Sequence, residues 1–343
     1  RLVMPEFLQG TSLGDWATYL YLRLKTRNLR TVDDCQLFIA DYFERLVTET
    51  VEELTVTGLD ALDSDGVYLF MSNHRDIVLD SSLLNFLIHG AGHATCRMAV
   101  GDNLLTNELA ADLMRLNKSF IVERNVSGAR ASLTAFTRTS SYIRHSLEEG
   151  VSIWIAQREG RAKDGWDRTD PALLKMLTLA YRENQETLRG FLQRVQLVPV
   201  SISYELDPNA LRKAHELKVI AEHGRYDKSA EEDLQSMILG LVGNKGRVHL
   251  HFSPPMSGDY DNPDSLAAAI DQSVLGGMRI FPTHIAAAKA LGDAVARDAD
   301  VPELTKVTAC FESQLDACPV GERDFLLLQY ANLLRNRKEL GIT

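Results

Sequence analysis

Cysteine is scarce: Cys35, Cys96, Cys310 and Cys318 are the four in 343 residues, with no CxxC pair and no Cys/His ladder of zinc-finger spacing. That excludes a disulfide scaffold and points to buried, reduced thiols in a cytosolic setting. Long apolar runs are also missing. None reaches the roughly 18 residues that would span a bilayer, and the opening RLVMPEFLQG has no signal-peptide core, so a soluble or peripheral protein is expected. Positive charge is not in excess: 37 Lys and Arg stand against 47 Asp and Glu, a formal charge of −10. This argues against nucleic acid as a partner and against whole-body attraction to anionic lipid, so any lipid contact must be local. There is no HExxH and no GxSxG, which removes the usual zinc-hydrolase and serine-hydrolase signatures. What remains is ordinary globular composition, 45% hydrophobic and 24% charged, enough for a substantial core. The length fits two domains or one α/β core with helical additions.

The chain is organised around residues 67–85, VYLFMSNHRDIVLDSSLLN. The run from Val67 to Met71 has no polar face, as in a strand buried on both sides. Leu83, Leu84, Phe86 and Leu87 then have helical spacing. Between them stands the polar cluster His74, Arg75, Asp76 and Asp80. In open α/β sheets ligands bind outside the carboxyl ends of strands, so this cluster is expected to face a cleft.

Three further pieces follow in order: residues 119–124 (SFIVER), 155–165 (IAQREGRAKDG) and 197–203 (LVPVSIS). With the His/Asp pair, they resemble the four blocks of the glycerol-phosphate and lysophospholipid acyltransferase superfamily. That family has a His and an Asp separated by four residues, an apolar strand ending in Arg, a Glu-Gly turn with Arg, and a Val-Pro strand. Residues 54–59 (LTVTGL) are similar to the strand that precedes the first block. The resemblance spans roughly residues 50–255. Two departures stand out. Five residues separate His74 from Asp80, and Glu159-Gly160-Arg161 is one residue shorter than the family's Glu-Gly-Thr-Arg. The extra residue has to be absorbed in the turn before the helix, and Asp76 rivals Asp80 as the partner of His74.

The resemblance implies an α/β fold with a mixed, mostly parallel sheet flanked by helices, and helical additions at both ends. The expected division is a helical segment at 1–50, the acyltransferase domain at 51–255 and a helical cap at 256–343. It also implies chemistry. A glycerol hydroxyl needs a base to remove its proton, and an imidazole held by a carboxylate supplies one near neutral pH. His74 is assigned as base and Asp80 as its partner. Arg124, Arg158, Arg161 and Lys163, with Gly160 in the turn, would grip the acceptor phosphate, and Glu159 would orient those cations. The donor would be acyl-CoA or acyl carrier protein, and the acceptor glycerol-3-phosphate or a lysophospholipid such as its 1-acyl form. No cofactor or metal is implied. An acyltransferase for another lysolipid, such as lyso-ornithine lipid, and a non-catalytic lipid-binding protein are the alternatives. HRD copies a kinase tripeptide, but Ser81 stands where a kinase has Asn, and the Gly-rich loop and DFG are missing.

Elsewhere the patterns are structural. Residues 5–30 place aromatics beside Arg23, Lys25, Arg27 and Arg30, either a membrane-interface segment or a core helix with a solvated basic end. A helix is expected over 33–54, with Leu37, Ile39, Phe43 and Val47 along one side, and another near 107–116. A third, over 127–149, is expected to turn Leu133, Phe136, Ile143 and Leu147 inward. His89 and His93 have ligand spacing, but Gly90 and Gly92 break the helix that would align them. Pro199 is expected at a sheet edge or bulge, and His249 and His251 on a solvated sheet face.

Overall fold

The computed structural model describes residues 23–24, 26–102, 118–123, 126–184, 187–229, 231–296 and 306–342. Residues 5–22, Lys25, the stretch 107–116 and Arg124, all singled out above, lie outside the described residues.

Among the described residues seven strands form one sheet: β1 (Glu53–Thr57), β2 (Leu69–Ser72), β3 (Arg97–Gly101), β4 (Ser119–Val122), β5 (Ile153–Ala156), β6 (Leu197–Tyr204) and β7 (Arg247–Phe252), in the order β1-β7-β6-β2-β5-β3-β4. The five strands from β6 to β4 run parallel, while β7 pairs antiparallel with β6 and carries β1 parallel to itself. This is the mixed, mostly parallel sheet expected. Strand β2 is buried at every position because both faces are covered. Phe70 packs with Val198, Val200 and Leu250 on one side, and Leu69 and Met71 pack with Ile153, Ile155 and Leu197 on the other.

The first face is covered by helices α1 (Val32–Thr50) and α2 (Leu79–Gly90). Thr31 and Asp34 cap α1 reciprocally, a pairing that satisfies two otherwise orphan amides. The opposite face takes α3 (Ala129–Glu148), α4 (Pro171–Leu177), α5 (Leu188–Val195) and, later in the chain, α8 (Pro263–Gly277). The intervening α6 (Ala210–His223) packs with α9 (Pro282–Ala290), α10 (Lys306–Ala317) and α11 (Arg323–Glu339) around Leu206, Ala214, Phe311 and Leu326. Helix α7 (Glu232–Val242) lies against α1. Among the described residues no helix is long and apolar enough to cross a membrane.

Four local expectations are corrected. Helix α1 stops at Thr50, and the chain enters β1 at Glu53. Pro199 lies inside the sheet rather than at its edge. It is opposite Met71 of β2, and its carbonyl accepts from Ser253, just past the last residue of β7. Its missing N–H therefore falls where the neighbouring ladder has already ended. On α3, Leu133 and Phe136 point outward, 53% and 43% exposed, while Ala135, Thr139, Ser140, Ile143 and Ser146 face inward. The small stripe lets the helix approach closely, and Ser140 donates to the Leu177 carbonyl at 2.9 Å. The His249/His251 face is only partly solvated, with His249 buried and His251 half-buried. Hydroxyls of Thr55 and Thr57 contact the two rings at 2.7–3.2 Å, and Arg279, just beyond α8, bonds the Thr55 hydroxyl.

Candidate active site

Three neighbouring parallel strands deliver their carboxyl ends to one place. Strand β2 leads into His74, β5 into residues 157–165, and β6 ends on Tyr204. Asn73 fixes their relative height, since its side-chain amide donates to the Ile202 carbonyl at 2.9 Å and accepts from the Ile202 N–H at 2.8 Å. The loop after β5 is tied in by the Ala162 N–H, which donates to the His74 carbonyl at 2.9 Å. Sequence spacing alone does not bring these segments together; the parallel pairing does.

His74 Nδ1 lies 2.7 Å from Asp80 Oδ2. The imidazole is 14% exposed and the carboxylate wholly buried. Nε2 has no hydrogen-bond partner among the described residues, and the ring packs edge-on against Trp154 at 5.7 Å and 74°. The same Asp80 oxygen accepts the N–H groups of Arg75 at 2.6 Å and Asp76 at 3.0 Å. The loop is thus wound around the carboxylate, and the extra residue is taken up before α2 begins. Burial opposes the charge on Asp80, but the His74 contact and the two amides outweigh it and hold the carboxyl below its ordinary pKa. Asp76 instead anchors the start of α2, where its carboxylate accepts the N–H groups of Val78 and Leu79, both at 3.0 Å.

The loop after β5 turns at Gly160, whose φ of 74° lies in the left-handed region that glycine adopts at least cost. Arg158 and Glu159 are exposed at its tip. Arg161 is half-buried, and its Nη1 is buried without a hydrogen-bond partner among the described residues. A buried guanidinium nitrogen in that state can accept an anion without giving up a protein contact. Lys163 is placed differently, because its ammonium is ion-paired with Glu216 of α6. The geometry therefore brings His74, Asp80, Gly160 and Arg161 together, leaves Arg158 and Glu159 at the rim, and engages Lys163 elsewhere.

Residues 53–203 match the family model described as Acyltransferase. Over that stretch the chain is similar to this acyltransferase family. It is 22% identical over 228 residues to the dihydroxyacetone phosphate acyltransferase of Homo sapiens, an alignment covering 65% of this chain and 31% of that protein. The chain thus spans about a third of the length of that relative. Among solved structures it is similar to the 1-acyl-sn-glycerophosphate (LPA) acyltransferase PlsC from Thermotoga maritima, with a TM-score of 0.42 and 15% identity over 76% of this chain and 86% of that one.

Around this candidate site lie residues whose roles sequence patterns do not reveal. Arg75 reaches back under the loop, donating to the Ala162 carbonyl at 3.2 Å and pairing with buried Asp167 at 2.5 Å. Lys213 of α6 donates to the Arg75 carbonyl at 2.7 Å and is ion-paired with Asp207. Helix α11 presses on the loop's far side. A Cβ on Gly165 would sit 2.3 Å from the Gln329 carbonyl oxygen, and Asn332 donates to the Asp164 carbonyl at 2.8 Å. Beside the helix that carries Asp80 runs an apolar groove of about 380 Å³, walled by Leu37, Ala40 and Phe43 of α1 and by Ser82, Phe86 and His89 of α2.

Burial, against the pull of Arg75, pushes the Asp167 carboxyl up to about 6 from 3.8. A carboxyl raised on folding contributes stability that is complete below its unfolded pKa and is lost as pH rises through the folded one. The difference of about two units corresponds to ~3 kcal/mol. Urea unfolding is therefore expected to show stability falling between pH 4 and 7 from this group, and Asp167→Asn to flatten that slope. An identical slope in the variant would refute the assignment.

Proposed function

We propose that this protein transfers a fatty acyl group from acyl-CoA or acyl carrier protein to a hydroxyl of glycerol-3-phosphate or 1-acylglycerol-3-phosphate, with His74 as general base. One observation carries the reading: an imidazole held on Nδ1 by a buried carboxylate, on a loop bonded to the segment that holds Arg161, with His74 Nε2 and Arg161 Nη1 both unpartnered among the described residues. The steps follow from the groups present. The acceptor phosphate binds Arg161, which sets the neighbouring hydroxyl beside Nε2. Nε2 takes the hydroxyl proton as the oxygen attacks the thioester carbonyl, and Asp80 stabilises the imidazolium so formed. The tetrahedral adduct collapses with rupture of the C–S bond, and the departing thiolate takes the proton from Nε2. An ester and a free thiol are the products, and no enzyme nucleophile takes part. The acyl chain would lie in the groove between α1 and α2, whose apolar walls suit hydrocarbon. Because the products are lipids, the protein would work at a membrane surface as a peripheral protein, on the cytoplasmic side, where its free cysteines stay reduced.

Thiol release tests this directly. Acyl-CoA and acyl carrier protein donors of increasing chain length are each offered glycerol-3-phosphate, its 1-acyl form in vesicles, dihydroxyacetone phosphate and lyso-ornithine lipid. Release that needs a phosphate-bearing acceptor is expected, with the protein floating with the vesicles. Ala40→Trp should shorten the longest chain accepted. Lipid binding without thiol release from any donor would favour a non-catalytic binder, and release only with lyso-ornithine lipid would move the acceptor to that class.

A further inference from the structure

We infer that the Tyr204 hydroxyl is a positioning group for His74, acting through the second oxygen of Asp80; the inference rests on the proposed reading of His74 as the base. The two carboxylate oxygens divide their partners. Oδ2 receives His74 and the two loop amides, whereas Oδ1 receives the Tyr204 hydroxyl at 2.8 Å. Without that donor the buried carboxylate would keep one oxygen unbonded while the Arg75 and Asp76 amides still hold Oδ2 beside the ring, so more of its negative charge would face His74. Tyr204 is placed by the fold. It is the last residue of β6, two positions beyond the Ile202 backbone that Asn73 clamps, so its height relative to β2 is locked by two hydrogen bonds.

The phenol is suited to donation alone. Burial, then the charges of Asp80 and Asp76, raise its pKa well above 10, so it stays protonated wherever an imidazole titrates. A donor on Oδ1 also draws charge from the carboxylate and so weakens its hold on the imidazolium. Tyr204 thereby sets how the charge of Asp80 is divided between its two oxygens and so how much of it faces the ring. The other titratable and charged groups around the trio include Asp76 beside it, Asp207 after β6, Arg161 and the Arg75–Asp167 pair of the loop, Lys213 on α6, and His284 on α9, which burial keeps neutral. Tyr204→Phe changes none of them.

The experiment follows the His74 ring by NMR titration in the full chain, with His74→Ala to assign its resonances, alongside the pH dependence of kcat/KM. In Tyr204→Phe the His74 midpoint is expected to rise by roughly 0.5–1 unit and the acid limb of kcat/KM to move by the same amount. The value of kcat should fall about tenfold at neutral pH, with the acceptor KM unchanged. A fluorinated tyrosine placed at 204, a stronger donor, should move the midpoint the other way, and it decides the matter if the Phe variant does not fold. An unmoved His74 midpoint in a folded variant would overturn the inference. Midpoint shifts of the expected signs in a protein that releases no thiol would uphold Tyr204's hold on His74 while rejecting acyl transfer, so the two failures are distinguishable.

Discussion

His74→Ala is expected to lower thiol release by roughly 10²–10⁴-fold, the usual contribution of a positioned general base, with a loss of unfolding free energy small enough to leave the protein folded. The small stability cost follows from how Asp80 is held. Losing the imidazole leaves its carboxylate with the Arg75 and Asp76 amides on Oδ2 and the Tyr204 hydroxyl on Oδ1, so the buried charge keeps three donors. Removing one hydrogen bond of that kind costs about 1–3 kcal/mol, well short of unfolding a domain of this size. Asp80→Ala is a poorer test, because it removes the group around which residues 74–76 are wound. Activity and fold would then be lost together. Rates measured beside urea unfolding curves separate the cases: undiminished release in His74→Ala would remove the base from the mechanism.

Arg161→Ala should act on binding instead. A charge-assisted contact to phosphate contributes about 1.5–3 kcal/mol, so KM for glycerol-3-phosphate is expected to rise roughly 10- to 150-fold, with kcat reduced less. With an acceptor that has the hydroxyl but no phosphate, the variant and the parent should react at similar rates. Equal loss with both acceptors would mean that Arg161 holds the loop rather than the substrate. Stability should be nearly unaffected, since among the described residues Nη1 has no partner to lose. Lys163→Ala is the informative contrast. Its ammonium is already paired with Glu216, which is itself buried, so its removal should lower stability by leaving that carboxylate uncompensated, more than it changes KM.

Much of the site can be read from residue order. The strand-to-helix transition at residues 67–85 is local, because an apolar run without a polar face and a following helical spacing are properties of neighbours along the chain. So is the placing of reactive side chains at strand ends. Choosing between Asp76 and Asp80 is different. Both are within reach of His74 in sequence, and the choice turns on which carboxylate the turn encloses. Lys163 misleads for the opposite reason: it sits in a cationic loop, yet Glu216, more than fifty residues on, claims its charge. On α3 the apolar residues Leu133 and Phe136 carry the obvious pattern, but the small residues make the close contact.

By itself the sequence determined the buried central strand, the His-bearing turn at its end, the Glu-Gly loop, and through their order the resemblance to glycerolipid acyltransferases. Those are short-range patterns, set by which side chains can be buried and which backbone turns glycine permits. Only the tertiary structure decided that β5 and β6 flank β2, that Tyr204 completes the shell of Asp80, that Arg75 braces the loop through Asp167, and that α11 backs it through Gly165. Each of these joins residues dozens to well over a hundred positions apart. Such pairings depend on how sheet and helices pack as a whole, and no spacing along the chain encodes them.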